Sequence, residues 1–192
     1  LDAERVNPDL QKLGMSRATL DEWRKTIGHV NGICLIVGPT GSGKSTTMNA
    51  TVREIDRFGK AIYTVEDPVE LRLALLNQVE TNGSIGLDFN RALRAFMRAD
   101  PDVIIVGEIR DIETAELAIN AAKTGHLVFA TLHSDSPQAA IGRLKTMGLN
   151  TDQFSSQLRG VLSQQLVRTL CPACLGKDDG CSTCAGSRYT SR

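Results

Sequence analysis

Nine consecutive residues, Gly38-Pro39-Thr40-Gly41-Ser42-Gly43-Lys44-Ser45-Thr46, have the types and spacing to hold a polyphosphate. They fit G-x-x-x-x-G-K-[ST] and directly follow an apolar run, Ile33-Cys34-Leu35-Ile36-Val37. A strand that turns through glycines into a helix gathers backbone N–H groups around one point, and the helix N-terminus adds the positive end of its dipole. In such a loop the N–H groups take the α- and β-phosphates. Lys44 reaches the β- and γ-phosphates, and the Ser45 hydroxyl ligates Mg2+. Thr46 and Thr47 begin the helix and approach the α-phosphate side. Nucleotide binding is the first expectation.

Hydrolysis also needs carboxylates, and two acidic boxes supply them. In Asp100-Pro101-Asp102-Val103-Ile104-Ile105-Val106-Gly107-Glu108 four apolar β-branched residues lead to the carboxyl end of a strand, where open α/β sheets bind ligands. The position where a Walker B strand ordinarily carries aspartate is Gly107, so Glu108 is the first carboxylate available. The second box, Glu66-Asp67-Pro68-Val69-Glu70, follows the run Ala61–Val65 and puts Glu66 at a strand end on the same sheet edge. A carboxylate there can orient or deprotonate the water that attacks the γ-phosphate. Two glutamates thus stand for two tasks, and the sequence leaves their division open. The favoured division gives the water to Glu66 and Mg2+ to Glu108. A third strand ends in Thr131-Leu132-His133-Ser134, where His133 can sense the γ-phosphate.

Four of the five cysteines form a separate group: Cys171-Pro172-Ala173-Cys174 and Cys181-Ser182-Thr183-Cys184. Four thiolates close a tetrahedral structural zinc site with no open position. Only Leu175–Gly180 separates the pairs, a tight span for two converging turns. Cys34, inside an apolar run, reads as a small buried hydrophobe.

The elements that must position these groups follow from periodicity. Apolar strands are expected at 33–37, 61–65, 103–106 and 127–131, with a weaker one at 77–81. Helices are expected at 45–57, 88–98, 112–123, 137–146 and 152–168. Gly59, Gly125 and Gly148 sit just past helical runs, and Pro137 occupies a first-turn position. Continuous apolar strands alternating with helices imply an α/β fold with a mostly parallel sheet covered on both faces. Residues 1–31 read as a polar linker with a short helix from Ser16 or Thr19 to about Lys25, 32–168 as the phosphate-binding core, and 169–188 as a small metal-binding excursion.

Composition narrows the function classes. The 22 basic and 22 acidic residues cancel, and aromatics make up 4%, which disfavours a nucleic-acid groove built on charge and stacking. No apolar run reaches the roughly 20 residues of a membrane-spanning helix. No Asn-Lys-x-Asp box is present, so guanine recognition of that type is not expected. A RecA-like nucleic-acid translocase and a nucleotide-gated scaffold with little turnover remain the competing classes. The chain begins with Leu1, which suggests a fragment of a longer protein.

Taken together, GPTGSGKST, IYTVEDPVE, ADPDVIIVGEIRD and GHLVFATLHS resemble the Walker A, Asp box, atypical Walker B and His box of the secretion ATPases that drive type II secretion and type IV pilus assembly. The resemblance runs from Leu13 to the end. It implies a RecA-like P-loop ATPase domain using ATP, Mg2+ and Zn2+, a homohexamer, and a cytoplasmic place at the inner membrane beside secretion or pilus platform proteins. It implies Lys44 and Ser45 on phosphate and metal, Glu66 and Glu108 on water and metal, and His133 on sensing. Arg98 and Arg110 fall near the Walker B box without an assigned role. The cysteine quartet resembles the zinc motif of the assembly ATPases, which pilus retraction ATPases generally lack. Members also carry an N-terminal domain whose arginines complete the site. This stretch alone is therefore expected to bind nucleotide and hydrolyse it slowly.

Overall fold

The computed structural model describes residues 9–55 and 57–191. The first eight residues of the leading segment, Asp56 inside the expected helix 45–57, and Arg192 lie outside the described residues. The secondary elements run α1 (Arg17–Ile27), β1 (Gly32–Val37), α2 (Lys44–Glu54), β2 (Ile62–Glu66), β3 (Asn77–Glu80), α3 (Phe89–Phe96), β4 (Val103–Val106), α4 (Ile112–Lys123), β5 (Leu127–Leu132), α5 (Pro137–Thr146), α6 (Thr151–Gln157), β6 (Leu158–Ser163), β7 (Thr169–Leu170) and β8 (Tyr189–Ser191). β1 to β6 form one all-parallel sheet in the order β3-β2-β4-β5-β1-β6. The expected α/β architecture holds.

Period-two alternation divides the core. Ile33, Leu35 and Val37 of β1 join Ile104 and Val106 of β4 and Val128 and Ala130 of β5 beneath α3 to α6. Cys34 and Ile36 join Ile105 and Phe129 on the other face, beneath α1 and α2. Both faces of the central strands are fully buried, as a parallel sheet covered by crossover helices requires. The leading segment contributes to this core. Leu20, Trp23 and Ile27 of α1 are buried, and the Trp23 indole donates to Thr51 Oγ1 of α2 at 2.9 Å.

Three expectations need correction. The helix expected at 152–168 ends at Gln157, and Leu158–Ser163 instead form edge strand β6. Leu158, Val161 and Leu162 carry helical spacing, but β6 shifts register against β1, from Ile33 opposite Leu158 to Cys34 opposite Gly160. The extra residue, Arg159, donates to Asn31 O (3.0 Å) and Oδ1 (3.1 Å), and it puts Leu158 and Val161 on one face although they are three apart. A bulge hid the strand behind a helix-like pattern. Helix α2 ends at Glu54, so Gly59 does not terminate it. The strand expected at 61–65 begins and ends one residue later, which makes Glu66 its last residue.

Candidate functional site

The cap residues of the helices single out α2. Ser16, Asp88, Asp111, Ser136 and Asn150 each accept a backbone N–H from the first turn of α1, α3, α4, α5 and α6 respectively. Helix α2 starts after Gly43, in a left-handed conformation (φ +85°), with no side-chain cap. Its first-turn N–H groups therefore remain available to an anion, and the dipole favours one.

Sheet order sets out the other groups along one edge. The carboxyl ends of β1, β5, β4 and β2 are neighbours, and they lead to Lys44, His133, Glu108 and Glu66. Together with Thr40, Gly41, Gly43, Ser45 and Thr46 these residues line a cavity of about 590 Å³. Of the remaining loop residues, Gly38 and Pro39 contribute backbone carbonyls, and Ser42 is buried with no hydrogen bond at Oγ.

Lys44 is folded back on its own loop. Its Nζ donates to Gly38 O at 2.8 Å and Pro39 O at 2.9 Å, and lies 3.4 Å from His133 Nδ1. Burial lowers the Lys44 ammonium from its usual pKa, with the charge of Glu108 opposing the shift. His133 Nε2 lies 3.2 Å from Glu108 Oε1. With Nδ1 accepting from Lys44, the ring proton sits on Nε2, on the Glu108 side of the imidazole. Glu108 also accepts from Arg110 Nε at 2.6 Å, and Arg110 continues to Asp67 at 2.9 Å across the face of Phe89. Arg110 thus joins the two acidic boxes, a tie with no signal in the sequence. Arg98 is exposed beyond α3 and does not line the cavity.

Gly107 has a steric explanation. A Cβ there would lie 2.9 Å from Val65 O and 3.2 Å from Glu66 Cα. Its N–H donates to Val65 O at 2.8 Å, so β4 passes too close to β2 for any side chain. The aspartate usual at this point has no room, and the carboxylate appears one residue later.

Glu66 is held from its own face of the sheet. Thr64 Oγ1 donates to Glu66 Oε1 at 2.7 Å and Gln78 Nε2 at 3.1 Å. Sequence reasoning passed over Gln78, whose only signal was its place in a weak strand.

The four cysteine sulfurs lie within 4.8 Å of one another, with Cys171–Cys181 and Cys174–Cys184 each 3.9 Å apart. Thiolates about 2.3 Å from a tetrahedral zinc would stand about 3.8 Å apart, so the spacing fits a metal. The short loop closes because each pair is followed by a repeated turn. Leu175-Gly176 and Ala185-Gly186 all have positive φ, and β7 and β8 clamp the ends. Backbone N–H groups of Cys184 and Thr183 help pull the Cys181 thiol down to about 7, while burial pushes the neighbouring Cys184 thiol up to about 11.

Residues 1–192 match the family described as Type II/IV secretion system protein. The chain is 48% identical over 174 residues to the type II secretion system ATPase E of Vibrio cholerae, covering 91% of this chain and 35% of that protein. It therefore spans about a third of the length of that curated relative. Among solved structures it resembles the pilus retraction motor PilT with bound ADP (TM-score 0.74, 36% identity, 88% of this chain and 51% of that one). It also resembles the ATPase DotB of Legionella pneumophila (TM-score 0.71, 29% identity, 84% of this chain and 47% of that one).

Proposed function

The chain belongs to the Type II/IV secretion system protein family, and from that premise we propose that it is the ATP-hydrolysing motor domain of a protein that powers secretion or pilus assembly across a bacterial envelope. The observation that carries this reading is one cleft that joins an uncapped, glycine-started helix, Lys44, and two strand-end glutamates. The α2 N–H groups take the phosphates. Lys44 exchanges its two loop carbonyls for phosphate oxygens, a swap that keeps its donors satisfied. Glu66 orients and deprotonates the attacking water, and His133, between Lys44 and Glu108, registers the γ-phosphate. Ser45 and Glu108, both hard oxygen donors, are suited to hold Mg2+, which when bound neutralises charge on the phosphate oxygens. The cysteine quartet holds structural Zn2+.

On the same reading residues 32–168 are the ATPase core and 169–188 the metal-binding subdomain, with α1 of the leading segment packed on the core. The intact protein works as a homohexamer on the cytoplasmic side of the inner membrane, against secretion or pilus platform proteins. None of the helices among the described residues is long and apolar enough to cross a membrane. The test compares ATP turnover by the full-length protein, its Lys44→Ala variant and residues 1–192 alone. The reading expects strong turnover, none, and slow turnover, in that order. Equal turnover by all three would refute it.

A further inference from the structure

The polar face of edge strand β3 provides more than a sheet border. Its register with β2 sets Gln78 opposite Thr64 and Glu80 opposite Glu66, so alternation puts all four on one face while Val65 and Val79 turn to the core. From that face Gln78 makes three contacts at once. Its Nε2 donates to Glu66 Oε1 (3.1 Å) and to Leu71 O (2.9 Å), and its Oε1 accepts Leu73 N–H (2.7 Å). Glu80 adds a fourth tie by accepting Val69 N–H at 3.1 Å. The acidic-box loop is therefore stapled to β3, and the staple ends on the Glu66 carboxylate.

Only one of the two Glu66 oxygens is used. Thr64 and Gln78 both bind Oε1, and among the described residues Oε2 receives no hydrogen bond. Two donors on one oxygen fix the plane of the carboxylate and leave the other oxygen for a water. We propose that Gln78 is a positioning residue for hydrolysis. It orients Glu66 so that Oε2 meets the attacking water, and it locks the loop that would otherwise let the carboxylate turn. The inference rests on the assignment of Glu66 to the water. It gives Gln78 no contact with phosphate, and Gln78 does not line the cleft.

The test uses the full-length protein with Gln78→Met, which keeps length and loses the donor, Gln78→Glu, which sets a second carboxylate against Glu66, and Thr64→Val, which removes the other donor. Losing one hydrogen bond to a charged group costs on the order of tenfold or more in rate when that group acts in the transition state. The expected result is a kcat about tenfold lower for Gln78→Met, lower still for Gln78→Glu and several-fold lower for Thr64→Val, with KM for ATP unchanged in all three. In a Glu66→Gln background, Gln78→Met should have no further effect. The same fall in that background would show that Gln78 acts through something other than Glu66 and would overturn the proposal while leaving Glu66 in its role. Unchanged kcat in Gln78→Met and Gln78→Glu, or a rise in KM that accounts for the loss, would overturn it as well. If Glu66→Gln itself hydrolyses normally while Lys44→Ala does not, the assignment of the water to Glu66 fails, and the positioning role falls with it.

Discussion

Gly107→Ala is expected to damage the protein in two separable ways. The added Cβ would stand 2.9 Å from Val65 O, about 0.5 Å inside the 3.4 Å of an ordinary contact. The clashing atom is backbone, and the same carbonyl is tied to Gly107 N–H at 2.8 Å. Relief therefore requires β2 and β4 to part at the cost of a ladder hydrogen bond. Overpacking of this kind costs about 1–3 kcal/mol, of which roughly 0.5–1 is returned because alanine restricts the unfolded chain more than glycine. A net loss of up to about 2.5 kcal/mol follows, measured by denaturant unfolding, and Gly142→Ala is the control. Gly142 lies inside α5 with nothing within 4 Å of its added Cβ, so it should gain about 0.5–1 kcal/mol from helix propensity. The second effect is on rate. The shift moves the backbone of Glu66, and misplacement of a catalytic group by half an ångström costs on the order of tenfold in kcat. Gly107→Asp, which restores the usual Walker B residue, should be worse on both counts. A Gly107→Ala protein as stable and as active as wild type would refute the close-approach explanation, and a more active Gly107→Asp protein would do so more sharply.

Other expectations follow from burial and the cysteine geometry. Burial pushes the Cys34 thiol up to about 12, and reaction requires the thiolate. A thiol reagent at pH 8 should leave Cys34 unmodified until the protein unfolds, and prompt labelling in native protein would contradict the buried strand. The purified protein should hold close to one equivalent of zinc by elemental analysis, and Cys174→Ser should lose it. Hydrogen exchange in that variant should rise within 169–190 while the parallel sheet stays protected. Less than half an equivalent in wild type would count against the metal site. Thr51→Val leaves the Trp23 indole N–H buried without its partner and should cost about 1–3 kcal/mol, again by denaturant unfolding. An unchanged midpoint would mean that water or a shift of α1 replaces the bond.

The strands that build the cleft were readable because all four are continuous apolar runs with a chemical group at the carboxyl end. Helices α4 and α5 matched their expected limits because Asp111 and Ser136 cap their starts and Gly125 and Gly148 follow their ends with positive φ. Strand β6 was misread because one bulged residue, Arg159, converts a period of two into a spacing that looks helical. Within the cleft, Lys44 and Ser45 could be named from the glycine-rich spacing, and Glu66, Glu108 and His133 from their strand ends, since position along a strand predicts position along a sheet edge. Gln78 and the Arg110 tie to Asp67 could not. Both depend on which strands are neighbours, β3 beside β2 and β4 beside β2, and sheet order is not carried by any local pattern. The absence of aspartate at position 107 was visible, but its cause, a carbonyl on another strand, was not.

The most direct test separates binding from hydrolysis at the cleft. ATP affinity and single-turnover phosphate release are measured on the full-length protein with Mg2+, for wild type, Lys44→Ala and Glu66→Gln. The account predicts that Glu66→Gln binds ATP as tightly as wild type but releases phosphate at least about 100-fold more slowly, the scale of a lost general base. It predicts that Lys44→Ala loses affinity as well as turnover. Wild-type phosphate release from Glu66→Gln, or wild-type affinity and turnover in Lys44→Ala, would contradict it.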